Sequence, residues 1–160
     1  MVEQIPGLRR YARALFGNRT QADDLVQDTL ERAWAKRDRW KMGTNLRAWL
    51  FTIMHHLFIN QIRRERLLES YDESVEAVAA SYTEVDIVEM RELRDAIANL
   101  PVDYREVLIL VAVEQLRYEE VAEILKIPIG TVMSRLSRAR KQLRHIMTGE
   151  PSNVILRSIK

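Results

Sequence analysis

The stretch that most constrains this chain runs from Tyr118 to Arg144, YEEVAEILKIPIGTVMSRLSRARKQLR. It reads as two short helices joined by a tight turn. In its second half Val132, Leu136, Ala139 and Leu143 recur at i, i+4, i+7 and i+11, which is one face of an α-helix. From Thr131 to Met147 the same segment carries Arg135, Arg138, Arg140, Lys141 and Arg144 and no acidic residue. A helix with one buried face and a uniformly positive opposite face suits the major groove of duplex DNA. Whatever else the chain folds into must leave this element open to solvent.

The net charge of +2 hides a segmented distribution. Residues 1–66 hold 13 Lys and Arg against 7 Asp and Glu, residues 67–100 hold 2 against 9, and residues 101–160 hold 10 against 7. Two basic blocks around an acidic middle predict two separate contacts with a polyanion, and a different task for the middle. The absence of cysteine excludes disulfides and thiolate metal sites and fits a reducing compartment. The N-terminal MVEQIPGLRRYARALFG is charged throughout, unlike a signal peptide. No apolar run approaches the roughly 18 residues of a membrane span. The expectation is a soluble cytoplasmic protein with no membrane insertion.

The remaining chain reads as helix throughout, with no alternating strand pattern and no Gly-rich phosphate loop. A first helix is expected over about Gln4–Phe16, with Leu8, Tyr11, Ala12 and Leu15 inward and Gly17-Asn18 as its stop. Thr20 is the expected N-cap of a second helix reaching about Lys36. Ala22, Leu25, Val26, Thr29, Leu30, Ala33 and Trp34 line its apolar face, and Asp24, Gln27, Asp28 and Glu31 the other. That acidic face is either simply solvated or a partner surface. Next comes a loop, DRWKMGTN, which sets Trp40 between Arg39 and Lys41. Such a tryptophan either stacks on an unpaired base or folds back onto the core.

A long third helix is expected over about Leu46–Arg66, with Leu46, Leu50, Ile53 and Leu57 inward. Thr52, His56, Asn60 and Arg63 form a polar line, and Arg63, Arg64 and Arg66 a basic end. His55 and His56 do not make a metal site, because adjacent helical residues point about 100° apart. Residues 67–84 read as an acidic linker. Helix resumes near Val85 with Met90, Leu93, Ile97 and Leu100 inward. It breaks at Pro101 and continues over about Asp103–Gln115 as the hub of a second unit. Residues 148–160, with Gly149 and Pro151, are the expected flexible tail.

Taken in order, these segments resemble the bacterial extracytoplasmic-function sigma factors of RNA polymerase. ADDLVQDTLERAW (Ala22–Trp34) and GTNLRAWLFTI (Gly43–Ile53) look like the family's N-terminal domain. LPVDYREVLIL (Leu100–Leu110), YEEVAEIL (Tyr118–Leu125) and IPIGTVMSRLSRARKQLR (Ile127–Arg144) look like its promoter-reading C-terminal domain. The first two are most similar to sigma factors of the general stress response type. The resemblance implies an all-α protein of two small domains. Region 2 would span residues 1–66, and the region 4 helix-turn-helix would span residues 85–147.

It also implies partners and site residues. Core polymerase would be met through the clamp helices of its largest subunit and the flap of its second-largest. The face for the clamp helices would be Asp24, Gln27, Asp28, Leu30, Glu31 and Trp34. The minus-10 element of promoter DNA would be opened and read by Trp40, Lys41, Gly43, Thr44 and Asn45 on the loop. On the third helix, Thr52, His55, His56, Asn60, Arg63 and Arg64 would continue that surface. The minus-35 element would be read by Tyr118, Thr131, Met133, Ser134, Arg135, Ser137, Arg138, Arg140 and Lys141. An anti-sigma factor would hold the free protein inactive, and the acidic linker would either mimic nascent RNA or simply be solvated. Family members often have Gly where this chain has Lys126. A left-handed Lys there costs on the order of 1–2 kcal/mol.

No nucleophile–base set or ligand cluster emerges, so neither catalysis, a metal, a cofactor nor a small-molecule substrate is expected. Two rivals stay in view. A helix-turn-helix repressor has no need of the N-terminal half. A sigma-like mimic that sequesters an anti-sigma factor has no need of basic reading faces.

Overall fold

The computed structural model describes residues 1–69 and 88–149, and among them it is helical with no strand. After a 3-10 turn at Val2–Gln4 come α1 (Ile5–Phe16), α2 (Arg19–Ala35) and α3 (Leu46–Glu69). Pro6 sits at the start of α1, where its missing N–H is not needed. Gly17 ends α1 in the left-handed region, its N–H bonded to the Arg13 carbonyl. The N-cap of α2 is Asn18 and not the expected Thr20. The Asn18 side chain accepts from Thr20 N at 2.8 Å and Gln21 N at 3.4 Å. Asn caps at least as well as Thr, and the left-handed turn at Gly17 delivers the chain to position 18 already reversed. α2 lies against both α1 and α3. Leu8, Tyr11, Leu15, Leu25, Leu50, Phe51, Met54 and Phe58 fill the space between them. Edge-to-face pairs of Tyr11 with Phe51 and Phe16 with Phe58 tie α1 to α3. On α3, Leu46 and Leu57 are only half-buried, while Phe51, Met54 and Phe58 carry the core.

The second half comprises α4 (Val88–Ala98), α5 (Val102–Leu108), a π-helical turn (Ile109–Val113), α6 (Tyr118–Leu125) and α7 (Ile129–Thr148). The expected helix over Asp103–Gln115 is therefore α-helical only to Leu108. Beyond it the ladder widens: Glu114 N bonds to Ile109 O at 2.9 Å and Leu116 N to Leu110 O at 3.0 Å. Gln115 then turns left-handed. α5 packs on α7, and Val107, Leu110, Val121, Ile124, Val132 and Leu136 form the interior. Lys126 sits in the left-handed region at φ 56° and ψ 46°, closing α6 with its N–H on the Ala122 carbonyl.

The two halves are packed together through α1 against α4 and α5 and through α3 against α6, and their buried apolar side chains form one continuous cluster. Arg105 reaches across: its guanidinium donates to the carbonyls of Ala14 (3.1 Å) and Leu15 (2.9 Å) at the end of α1. It also donates to Ala98 and Leu100, both at 2.8 Å, at the end of α4. One cation thereby satisfies the unpaired carbonyls of two helix C-termini. α3 runs three residues past the expected boundary at Arg66. The remainder of the acidic linker, and the tail after Gly149, lie outside the described residues.

Candidate nucleic-acid interface

α7 keeps Val132, Leu136 and Ala139 buried against the second half. That rotation turns Met133, Ser134, Ser137, Arg138, Arg140 and Lys141 outward, all of them exposed. Thr131 is half-buried, and its carbonyl accepts from the Ser134 hydroxyl at 3.1 Å. Among the described residues no carboxylate pairs with Arg138, Arg140 or Lys141. Three unneutralised cations beside short polar side chains on one open helical face suit phosphates and base edges together. Arg135 stands apart. It is half-buried, 3.7 Å from Asp103 on α5, and so helps hold α7 to its support. Tyr118 is half-buried at the start of α6.

The second basic surface belongs to the loop and α3. His56, Asn60, Arg63 and Arg64 are exposed, with Thr52 half-buried in the same line. The Thr52 hydroxyl donates back to the Ala48 carbonyl at 2.9 Å. The loop is a turn in which both the backbone N–H and the hydroxyl of Thr44 donate to the Lys41 carbonyl, and Gly43 adopts φ 92°. Lys41, Gly43, Thr44 and Asn45 are exposed, as is Met42. Trp40 takes the inward alternative: it is half-buried, its indole N–H enclosed without a partner.

Two expected readers on this surface are engaged by the other half of the chain. His55 is buried, and its Nδ1 lies 2.7 Å from Glu106 on α5. In this conformation its ring cannot touch DNA, because position 55 faces the core about 100° away from the line through His56. Asn45 caps α3 by accepting from Ala48 N at 3.2 Å and donates to Glu120 on α6 at 2.6 Å. Burial works to raise the Glu120 carboxyl. Its bonds from the Arg117 backbone N–H, from Asn45 and from the Arg117 guanidinium prevail and hold it below the ordinary value. His56 is pushed below the ordinary histidine value by partial burial, then by the charges of His55, Lys126 and Lys36.

On α2, Asp24, Gln27, Asp28 and Glu31 are exposed, with Gln27 donating to Glu31 at 3.0 Å. Leu30 is half-buried beside them. Trp34 is 65% exposed, and the Arg37 guanidinium lies 5.0 Å from the centre of its ring. An exposed aromatic ring beside acidic side chains sets this face of α2 apart from the two basic surfaces.

The residues that sequence reasoning missed are those joining the halves. Glu114 is 1% exposed. Its two oxygens accept from Arg10 Nε at 2.8 Å and Nη2 at 3.0 Å, and the second also pairs with Arg47. Glu106, 2% exposed, accepts from the Tyr11 hydroxyl at 2.8 Å as well as facing His55. Burial, then the charge of Glu106, pushes the Tyr11 phenol well above its ordinary value, so it stays a donor. A signal existed: Glu114 falls at i+7 from Val107 and i+4 from Leu110, on a face otherwise apolar. Among the described residues no group of three or more His, Cys, Asp or Glu converges as a metal site. No helix there is long and apolar enough to cross a membrane.

Two family models match the chain. The sigma-2 domain of PhyR covers residues 1–55, and region 4 of sigma-70 covers residues 90–143. The ECF RNA polymerase sigma factor EcfG of Rhodopseudomonas palustris is 43% identical over 145 residues, 89% of this chain and 80% of that protein. The ECF sigma factor SigW of Bacillus subtilis is 31% identical over 144 residues, 81% and 77% of the two chains. Among solved structures, the sigma factor RpoE of Bartonella quintana, in complex with the anti-sigma factor NepR, superposes with a TM-score of 0.83. That match has 36% identity and covers 94% of this chain and 95% of that one.

Proposed function

The chain belongs to the extracytoplasmic-function family of RNA polymerase sigma factors, and we propose that it carries out the family's role through three separate surfaces. As a sigma factor it directs bacterial RNA polymerase to promoters. The α7 face around Ser134, Ser137 and Arg138 reads the minus-35 element in the duplex. The loop at Lys41–Asn45 and the α3 line of Thr52, His56, Asn60, Arg63 and Arg64 take the opened minus-10 strand. The acidic α2 face with Leu30 and Trp34 docks on the polymerase. The observation that carries this reading is the pairing of two open basic surfaces, one on each half, with an acidic, aromatic third that does not suit DNA. The chain supplies no catalysis of its own: it chooses where polymerase starts and helps separate the strands.

The likeness to RpoE, solved with NepR, supports control by an anti-sigma factor and a place in a general stress response. A partner of that kind would cover surface on both halves. The second reading, a mimic that sequesters an anti-sigma factor, draws support from the match of residues 1–55 to the sigma-2 domain of PhyR. The bare Arg138, Arg140 and Lys141 speak against it. Run-off transcription with purified core polymerase on a promoter library decides between them. Selective transcripts sharing two sequence elements are expected. Capture of an anti-sigma factor with no polymerase binding and no transcript would establish the mimic.

A further inference from the structure

Resting on that reading, we propose that the chain closes on itself through a latch built from its own side chains, with Glu114 as the bolt and Gly7 as its seat. Glu114 comes from the end of the π-turn of the second half and lies fully enclosed against α1 and α3 of the first. Arg10 and Arg47, from two different helices, grip both its oxygens. Gly7 lies in the first turn of α1, on the side that faces Glu114. A Cβ at Gly7 would meet Glu114 Oε2 at 2.8 Å, nearer than such carbons approach real neighbours. A methyl group there would push the carboxylate, the far end of a flexible side chain, away from α1 and strain its bonds to Arg10 and Arg47. Glycine at position 7 thus lets Glu114 sit this close to α1.

A second bond set reinforces the first. Glu106 holds Tyr11 and His55 in the interior, and Asn45 donates to Glu120 at the rim. Closure thus withdraws His55 and occupies Asn45, two members of the minus-10 surface, while leaving the α7 face bare. The whole minus-10 surface is then available only when the halves part. The latch sets how often they do so, and the apparent affinity for an opened minus-10 strand is the intrinsic one scaled by the open fraction.

The test uses the full chain carrying Gly7→Ala, Glu114→Gln, or Gly7→Ala with Glu114→Asp. Small-angle scattering reports the opening, and titration with single-stranded DNA carrying the minus-10 element of a promoter that the holoenzyme transcribes reports its consequence. The closed chain has a radius of gyration of about 15 Å. Gly7→Ala and Glu114→Gln are expected to raise it and to tighten apparent binding of the minus-10 strand by about tenfold, as for a latch that leaves about a tenth of molecules open. The shorter Asp in the double variant restores room beside the added methyl group and returns both readings toward wild type. If Gly7→Ala loses helical content, Glu114→Gln, which keeps the side chain's shape, carries the decision. Unchanged scattering and unchanged affinity for the minus-10 strand in both single variants overturn the latch. A chain that binds no polymerase in any form overturns the sigma reading instead, and the scattering curves still decide the latch.

Discussion

The two candidate DNA readers are built in opposite ways. α7 is supported from behind by an apolar stripe of Val132, Leu136 and Ala139, and its front makes no bond with the other half among the described residues. α3 is gripped by the half that carries α7, through His55 and, at its cap, through Asn45. A reader of duplex DNA needs only a rigid face, because the major groove is already present. A reader of separated strands can be held back until the duplex opens, and two residues of the proposed one are engaged by the opposite half. The contrast places polar bonds between the halves behind the α3 surface and leaves the α7 face exposed.

The largest expected effect removes a bond from the engaged side. Glu106→Ala strands the Tyr11 hydroxyl and the His55 ring in the interior, and should lower unfolding stability by about 3 kcal/mol in urea titration. Arg140→Ala, on the bare side, should change stability by less than about 0.5 kcal/mol. Equal effects would show that the enclosed carboxylate does no more for the fold than an open arginine.

A smaller effect tests the bare side. Arg138→Ala should weaken duplex binding at the minus-35 site by roughly 1–3 kcal/mol and relax sequence preference there. Binding measured on specific and random duplexes checks this, since equal losses on both would reduce Arg138 to a phosphate contact. Next comes the turn between α6 and α7. Lys126 holds a left-handed conformation, and Lys126→Gly should stabilise the protein by about 1 kcal/mol in thermal melts. No gain would mean that the lysine side chain offsets the strain through contacts on α6.

The smallest effect concerns pH. His56 is held below its ordinary value in the fold, so between its folded value and the unfolded value near 6.5 the unfolded chain binds the extra proton. Stability contributed by this position should therefore fall as pH drops through that range, as His56 gains charge near Lys36, Lys126 and His55. Comparison of wild type with His56→Gln across that range isolates it, since the slope belonging to position 56 disappears in the variant.

Much of the candidate interface is legible in the residue order alone. The stripe Val132, Leu136 and Ala139 determines which side of α7 is open, because 3.6-residue periodicity and burial together leave one orientation. The left-handed Lys126 is signalled only through the resemblance, because family members often have Gly at that turn. The cap of α2 is not legible in the same way: Asn18 and Thr20 are both competent caps, and only the turn at Gly17 selects between them. His55 escapes sequence reasoning for a related reason. It sits on the same strongly basic helix as His56, and composition does not say which of two adjacent polar residues has a carboxylate waiting on another element.

By itself, then, the sequence determined that the chain is helical, that it has two basic surfaces and an acidic α2 face, and many of the residues on each, though not that His55 and Trp40 turn inward. These are local properties, set by periodicity and charge within single helices. The tertiary structure decided that the two halves close on one another, that Glu106 and Glu114 are buried, and that Gly7 makes room for one of them. Those outcomes depend on pairs such as Arg10 with Glu114 and His55 with Glu106, which are 104 and 51 positions apart in the chain. A buried carboxylate is stable only where its donors converge, and that convergence exists only once α1, α3 and α5 have come together.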